Sequence, residues 1–331
     1  DASLVTTISG TAAQVAAAAE LDRLATTNLK ADFGVTISDT GSVAATDLTK
    51  ITARTNQTID ATAVTAITGT ASAVVAAIDD GQVNHDDNFL VTLTADSTAA
   101  AADLKTINTA TSGIITATGV TAITGSASDV TDVLAVETSQ GNAGQQIDLD
   151  TDFTVTVSDT GNVSALTLTN IDDNTPGNVT VTNTVTLTGT AAQIRLAAQR
   201  DAGNTLQLAA DFGATVNAGS VAATDLTTIV GQTSATIDAT AATAITGTAE
   251  EVAAAINHGQ VNHDADFNVT LSAAAATGLQ LTDIDAATSA VVDASLVTTI
   301  SGTAAQVAAA AELDRLATTN LKADFGVTIS D

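Results

Sequence analysis

The chain has 331 residues, of which 45% are hydrophobic and only 2% aromatic, and 37 acidic against 9 basic side chains leave a net charge of −28. So few Lys and Arg cannot neutralise phosphates, which excludes nucleic acid and anionic membrane surfaces as partners. Cys is absent, which excludes a disulfide framework and thiolate chemistry, and no apolar run approaches the length of about 18 residues that a membrane span needs.

Asp1–Asp39 returns letter for letter as Asp293–Asp331, 292 residues later. Identity over so long a stretch marks a tandem array, in which each repeat buries its apolar face against its neighbours. The first element is a strand, here called A, that ends in Gly-Thr/Ser-Ala. It recurs with Gly at positions 10, 69, 125, 189, 247 and 302. The glycine predicts a tight turn or a positive φ angle. Thr11, Thr70, Ser126, Thr190, Thr248 and Thr303 then predict helix N-caps, and Gln14, Gln193, Glu251 and Gln306 complete a capping box in four of the six copies. An Ala-rich helix follows each cap, as in Ala12–Ala25.

The next element, strand B, holds all six phenylalanines: Phe33, Phe89, Phe153, Phe212, Phe267 and Phe325. Its pattern, Asp/Asn-Phe-x-apolar-Thr-apolar, alternates as a half-buried strand does. The Phe residues predict a structural ladder in the core. Thr36, Thr92, Thr156, Thr215 and Thr270 on the opposite face predict a candidate exposed Thr ladder. A shorter helix closes the unit, one or two turns and partly 3₁₀, with Leu48/Ile51, Leu104/Ile107 and Leu226/Ile229 facing the sheet.

The unit is thus β-α-β-α, two coils of about 28 residues each, with repeats at 1–58, 59–114, 115–178, 179–236 and 237–291, and 292–331 beginning the next period. The third repeat carries an insertion around Gly141–Gln146 and the only proline, Pro176. Strands joined by helices run parallel with right-handed crossovers. The expected fold is a right-handed α/β solenoid, with a parallel sheet on one side and short helices on the other. The alternative is a parallel β-helix in which the Ala-rich segments are not helical.

Little in the sequence carries chemistry. Acidic residues precede strand A (Asp1, Asp60, Asp238, Asp293) and strand B, where they serve as turn caps or, stacked, as Ca²⁺ ligands; Asp148, Asp150 and Asp152 are the densest candidates. His258 and His263 are five residues apart beside Asp264, a spacing open to Zn²⁺, but the related loop at His85 has one His only. Asn56, Asn162, Asn178 and Asn268 stand in N-x-Ser/Thr sequons. No nucleophile elbow, phosphate loop or zincin motif is present, so an enzyme is not expected.

Repetition, the absence of cysteine and the wealth of Ala, Thr and Asp together resemble the giant tandem-repeat proteins of bacterial cell surfaces and filaments. That resemblance implies a secreted, extracellular or cell-surface location and a structural part in a fibre or stalk. Its partners would be further copies of the repeat in the same chain, with self-association or lateral bundling, bridged by Ca²⁺ where a cation is used. An adhesin, or an ice- or glycan-binding module using the Thr ladder, is the alternative.

Overall fold

The computed structural model describes residues 2–24, 27–30, 32–79, 81–94, 97–137 and 146–330. The chain divides into two compact units, Asp1–Ser158 with Ile171–Val179, and Asp159–Asn170 with Thr180–Asp331. Both are α/β, built from short parallel strands and α-helices, with two or three strands between one helix and the next. In the sequence insertion, 141–145 lie outside the described residues, as does Asp1.

The first unit contains α1 (Ala12–Arg23), α2 (Ala45–Thr52), α3 (Ala71–Ile78), α4 (Ala101–Ala110) and α5 (Ala127–Leu134), each packed on the next. Helix α6 (Ala165–Asp173) follows in the chain. The second unit contains α7 (Ala191–Ala202), α8 (Ala223–Val230), α9 (Ala249–Ile256), α10 (Gly278–Ala287) and α11 (Ala304–Arg315), again packed in succession. All four expected capping boxes form, at Thr11, Thr190, Thr248 and Thr303, and a fifth unforeseen one joins Thr277 to Gln280 on α10. The helices after strand B are regular α-helices of 8 to 10 residues, longer than expected and without 3₁₀ character. Tertiary burial explains this: Leu48, Ile51, Leu104, Ile107, Leu226 and Ile229 are completely buried, and a buried apolar stripe sustains a helix too short to persist alone.

The strands do not lie in a single sheet on one side of the helices. They are two to six residues long and distribute over several parallel sheets, because the chain turns again before the next helix and changes sheet at each turn. In the first unit one sheet takes Ser42–Ala44, Ala66–Gly69, Leu90–Leu93, Ile115–Ala117 and Ile147–Leu149, side by side in that order. Successive partners Val43, Ile67, Val91 and Ile115 point inward, and each step along the sheet encloses one helix. The second unit repeats the design in Gly219–Ala222, Ala242–Gly247, Asn268–Leu271, Val292–Ala294 and Thr319–Leu321. Such a sheet draws strands from three consecutive sequence repeats. The repeat read from the sequence is therefore a unit of chain, and its strands are shared among sheets.

The strand A glycines serve close packing. A Cβ on Gly125 would lie 2.9 Å from the Cβ of Ala101, the first residue of α4 in the preceding coil. Gly189 has φ +154°, as the sequence suggested, and a Cβ there would meet the Gln193 side chain at 2.9 Å. All six strand A glycines also offer their carbonyl to the coil that follows. Ser38, Thr94, Ser158, Asn217, Ser272 and Ser330 donate backbone N–H to Gly10, Gly69, Gly125, Gly189, Gly247 and Gly302 at 2.8–3.0 Å.

Candidate interaction surface

Many outward side chains on the sheets are small and polar, Leu90 being an exception, and the register fixes which of them are neighbours. Thr36, Thr92, Thr156, Thr215 and Thr270 all point outward, with Thr36, Thr92 and Thr270 exposed and Thr156 and Thr215 half-buried. They do not stack on one another as a ladder. They stand 55 or more residues apart on strands of different sheets, whereas a strand's neighbour lies 23–32 residues away along the chain. Each belongs instead to a row along its own sheet. Thr156 stands beside Thr124 on its sheet, and the other four rows are Ser9-Thr36-Asp60-Asn84 and Thr68-Thr92-Thr116-Asp148 in the first unit, and Thr188-Thr215-Asp238-Asn262 and Thr246-Thr270-Asp293-Asn320 in the second. Each row runs from hydroxyls to a carboxylate and, in three of these four, on to an amide. Adjacent members are about 4.8 Å apart. The hydroxyls of Thr68, Thr188 and Thr246 are partly engaged, donating to the carbonyls of Val43, Val163 and Val221 on the neighbouring strands.

Five of the phenylalanines are core residues, Phe33, Phe89, Phe153, Phe212 and Phe267, each no more than 1% exposed, while Phe325 is half-buried. Phe89 and Phe267 meet rings other than phenylalanine: His85 and His263 pack against them edge-on, at centroid distances of 4.6 and 4.9 Å. Backbone carbonyls of the phenylalanines carry a feature that the sequence reading missed. Thr55, Thr111, Thr233 and Thr288 donate their hydroxyls to the carbonyls of Phe33, Phe89, Phe212 and Phe267 at 2.5–2.6 Å. Each hydroxyl in turn accepts the N–H two residues on, from Gln57, Gly113, Ala235 and Ala290. One Thr thus ties two coils together. Its only trace in the sequence is a Thr 21 or 22 residues after each of these four Phe, easily lost in so Thr-rich a chain.

The acidic positions act mainly as turn caps. Asp60, Asp238 and Asp293 accept the N–H of Thr62, Thr240 and Ser295, and Asp60 and Asp238 also accept those Thr hydroxyls. Of the three Ca²⁺ candidates, Asp150 and Asp152 come together, and Asp148 lies in an outward row beside Thr116. The hydrogen bond from Asp152 holds Asp150 below the usual carboxylate range, while the same bond and the charge of Asp150 hold Asp152 above it. Among the described residues no group of three or more His, Asp or Glu is arranged to hold a metal ion. His258 and His263 are engaged within their own segment: the His258 Nδ1 accepts the Gln260 N–H, and the His263 Nε2 lies 3.2 Å from the Ile256 carbonyl.

On the helical side, a groove of about 480 Å³ is lined by Ile78, Ala102, Lys105, Thr109 and Asp129. The Lys105 ammonium reaches Asp132 at 2.6 Å and Asp129 at 3.2 Å, and these bonds raise its pKa. The Ser126 hydroxyl, and then Lys105, hold Asp129 below its ordinary value. With Asp79, the lining carries two carboxylates against the one ammonium of Lys105, so the groove is acidic.

Asp22 gives a pH prediction. The Leu29 N–H, at 2.7 Å from its carboxylate, and then the Arg54 guanidinium lower its pKa. A carboxylate depressed in the folded state stabilises above the ordinary range near about pH 4, and that stabilisation disappears as pH falls through the folded value. Asp22→Asn is therefore expected to flatten the acid limb of a Tm–pH curve and leave its slope above about pH 5 unchanged. An unchanged acid limb would show that Asp22 does not contribute there.

No helix among the described residues is long and apolar enough to cross a membrane. Comparison with protein-family models, with characterised proteins and with solved structures gives no match to this chain.

Proposed function

We propose that the chain is a non-catalytic structural segment of a long extracellular fibre or cell-surface stalk, self-associating or bundling through its exposed faces. The observation that supports this reading most is where the recurring polar groups go. The Thr hydroxyls after the second helix, the capping Thr and Gln, the turn aspartates and the strand A glycine carbonyls all join one coil to the next or fix a turn. What recurs is architecture, and the residues that would serve a reaction do not recur. The acidic, cysteine-free composition suits an extracellular location, and Ca²⁺ between acidic surfaces is the bridge this reading would use.

Joining two 292-residue periods in one chain is expected to nearly double the maximum dimension in small-angle scattering while the cross-sectional radius stays constant. Growth of both together would overturn the reading.

The outward rows favour a second reading, an adhesin or an ice- or glycan-binding repeat. Rows such as Thr68-Thr92-Thr116 offer regularly spaced hydroxyls. Thermal hysteresis or glycan binding that is lost in Thr92→Lys would support it; no signal in either assay would remove it.

A further inference from the structure

The four sequons at Asn56, Asn162, Asn178 and Asn268 are alike in sequence and differ in the fold. A glycosyltransferase must enclose the acceptor amide and the hydroxyl two residues on together, which an exposed turn permits and a paired strand prevents. Asn162 and Asn268 stand inside strands, paired with Thr186 and Ala244, and the Asn268 amide donates to the Thr243 carbonyl. The Asn178 carbonyl accepts the Val155 N–H where strand Val179–Val181 begins, and the hydroxyl of its Thr180 donates to Gln207 at 3.0 Å.

Asn56 is held differently. Before it, Thr55 donates to the Phe33 carbonyl at 2.6 Å; after it, the Ile59 N–H donates to the Gln82 carbonyl at 2.7 Å. Between these anchors Asn56, Gln57 and Thr58 form an exposed bend outside the strand ladder. Strand Ile59–Asp60 has a neighbour on each side, Val35–Thr36 and Val83–Asn84, so the bend is exposed although its own coil is flanked by coils in both directions. Among the described residues the Asn56 amide nitrogen and the Thr58 hydroxyl make no hydrogen bond, and the Asn56 side-chain oxygen receives only the Gln57 amide, at 3.5 Å. Against the bend lies a surface depression of about 440 Å³ lined by Thr52, Arg54, Thr55, Asn56 and Gln82. Two other coils carry Gln146 and Gln260 at the register of Gln82, and their amides donate to the carbonyls of Thr111 and Thr233. The Gln82 amide makes no such bond among the described residues and is left to the depression.

We propose that Asn56 is an N-glycosylation site, the one of the four sequons that the fold presents to a transferase. The proposal rests on the extracellular reading above. The donor is a glycosyl pyrophosphate, lipid- or nucleotide-linked. The Asn56 Nδ2 attacks the anomeric carbon, and the bond from that carbon to the pyrophosphate oxygen breaks as the Nδ2–carbon bond forms. One amide proton passes by way of the transferase to the departing pyrophosphate, and nothing is oxidised or reduced. The depression then seats the first sugar, with the Gln82 amide beside it as donor and acceptor for its hydroxyls.

The test is mass spectrometry of the chain purified from the surface and interior fractions of the cells that make it. Trypsin cutting after Lys50 or Arg54 and after Lys105 leaves Asn56 as the only sequon of its peptide, while Asn162 and Asn178 fall in 106–195 and Asn268 in 201–315. Most copies of the Asn56 peptide in the surface fraction are expected to carry a sugar mass, and the peptides of the other three sequons none. Thr58→Ala is expected to abolish that mass with Tm unchanged, since Thr58 is exposed, and Thr58→Ser to keep it. A bare Asn56 peptide would overturn the proposal, as would equal occupancy of the strand sequons or sugar retained in Thr58→Ala. A chain at the surface with bare Asn56 removes this site alone, whereas a chain found only inside the cell removes the extracellular reading and the site with it.

Discussion

Phe33→Ala is expected to destabilise the first unit by about 3–5 kcal/mol, and Phe325→Ala to destabilise the second by less than about half as much. The two residues lie in identical 39-residue segments, so helix propensity, strand propensity and local turn chemistry cancel in the comparison. The remaining difference is burial. Phe33 is 1% exposed and closed over by the next coil, so its removal costs transfer free energy and leaves a cavity. Phe325 is half-buried, and water can fill much of the space it vacates. Hydrogen exchange resolved to α1 and α11 reads each unit separately, which matters because a chain of two compact units need not unfold in one step. Equal losses at both positions would show that the phenylalanines act through local strand structure and not through burial between coils.

Thr111→Val should cost about 2–3 kcal/mol, although it changes the shape of the side chain little. The Thr111 hydroxyl donates to the Phe89 carbonyl at 2.5 Å and accepts from the Gly113 N–H at 2.9 Å, at a site where Thr111 is only 4% exposed. Valine removes the partner of both groups in a place water cannot reach, and an unsatisfied buried backbone group carries its full desolvation penalty. Thr92→Val is the control, since Thr92 is exposed and a surface change of this kind stays within about 0.5 kcal/mol. Denaturation midpoints of the two variants, compared at equal m-value, decide the matter. If Thr92→Val costs as much as Thr111→Val, the Thr between coils is not a special bond.

The comparison of the two threonines shows where sequence reading succeeds and fails. Thr92 was legible because it sits in an alternating strand, and alternation assigns a face. Thr111 was not, because its role depends on a carbonyl 22 residues earlier that only packing of coil upon coil brings into reach. The outward rows show the same limit. Alternation puts Thr36, Thr92, Thr156, Thr215 and Thr270 on one face of their strands, but which residues become neighbours is a matter of register. Register pairs Thr92 with Thr68 and Thr116, residues that local pattern did not single out.

By itself the sequence determined the order of strand A, capped helix and strand B, the four capping boxes, the parallel sense of the strands and the inward face of five of the six Phe and of Leu48, Ile51, Leu104, Ile107, Leu226 and Ile229. These follow from interactions within about four residues or from the period of apolar positions, and both are written along the chain. Tertiary structure alone decided how strands of two to six residues divide among several sheets, why the second helix is a full α-helix, and which polar groups meet across coils. Such strands are too short to show a period, and their partners are chosen by the turns between them and by the core they close. The repeated segment makes the point most directly: Val35 is buried beside Ile59, its partner 24 residues further on, and nothing within Asp1–Asp39 specifies that partner.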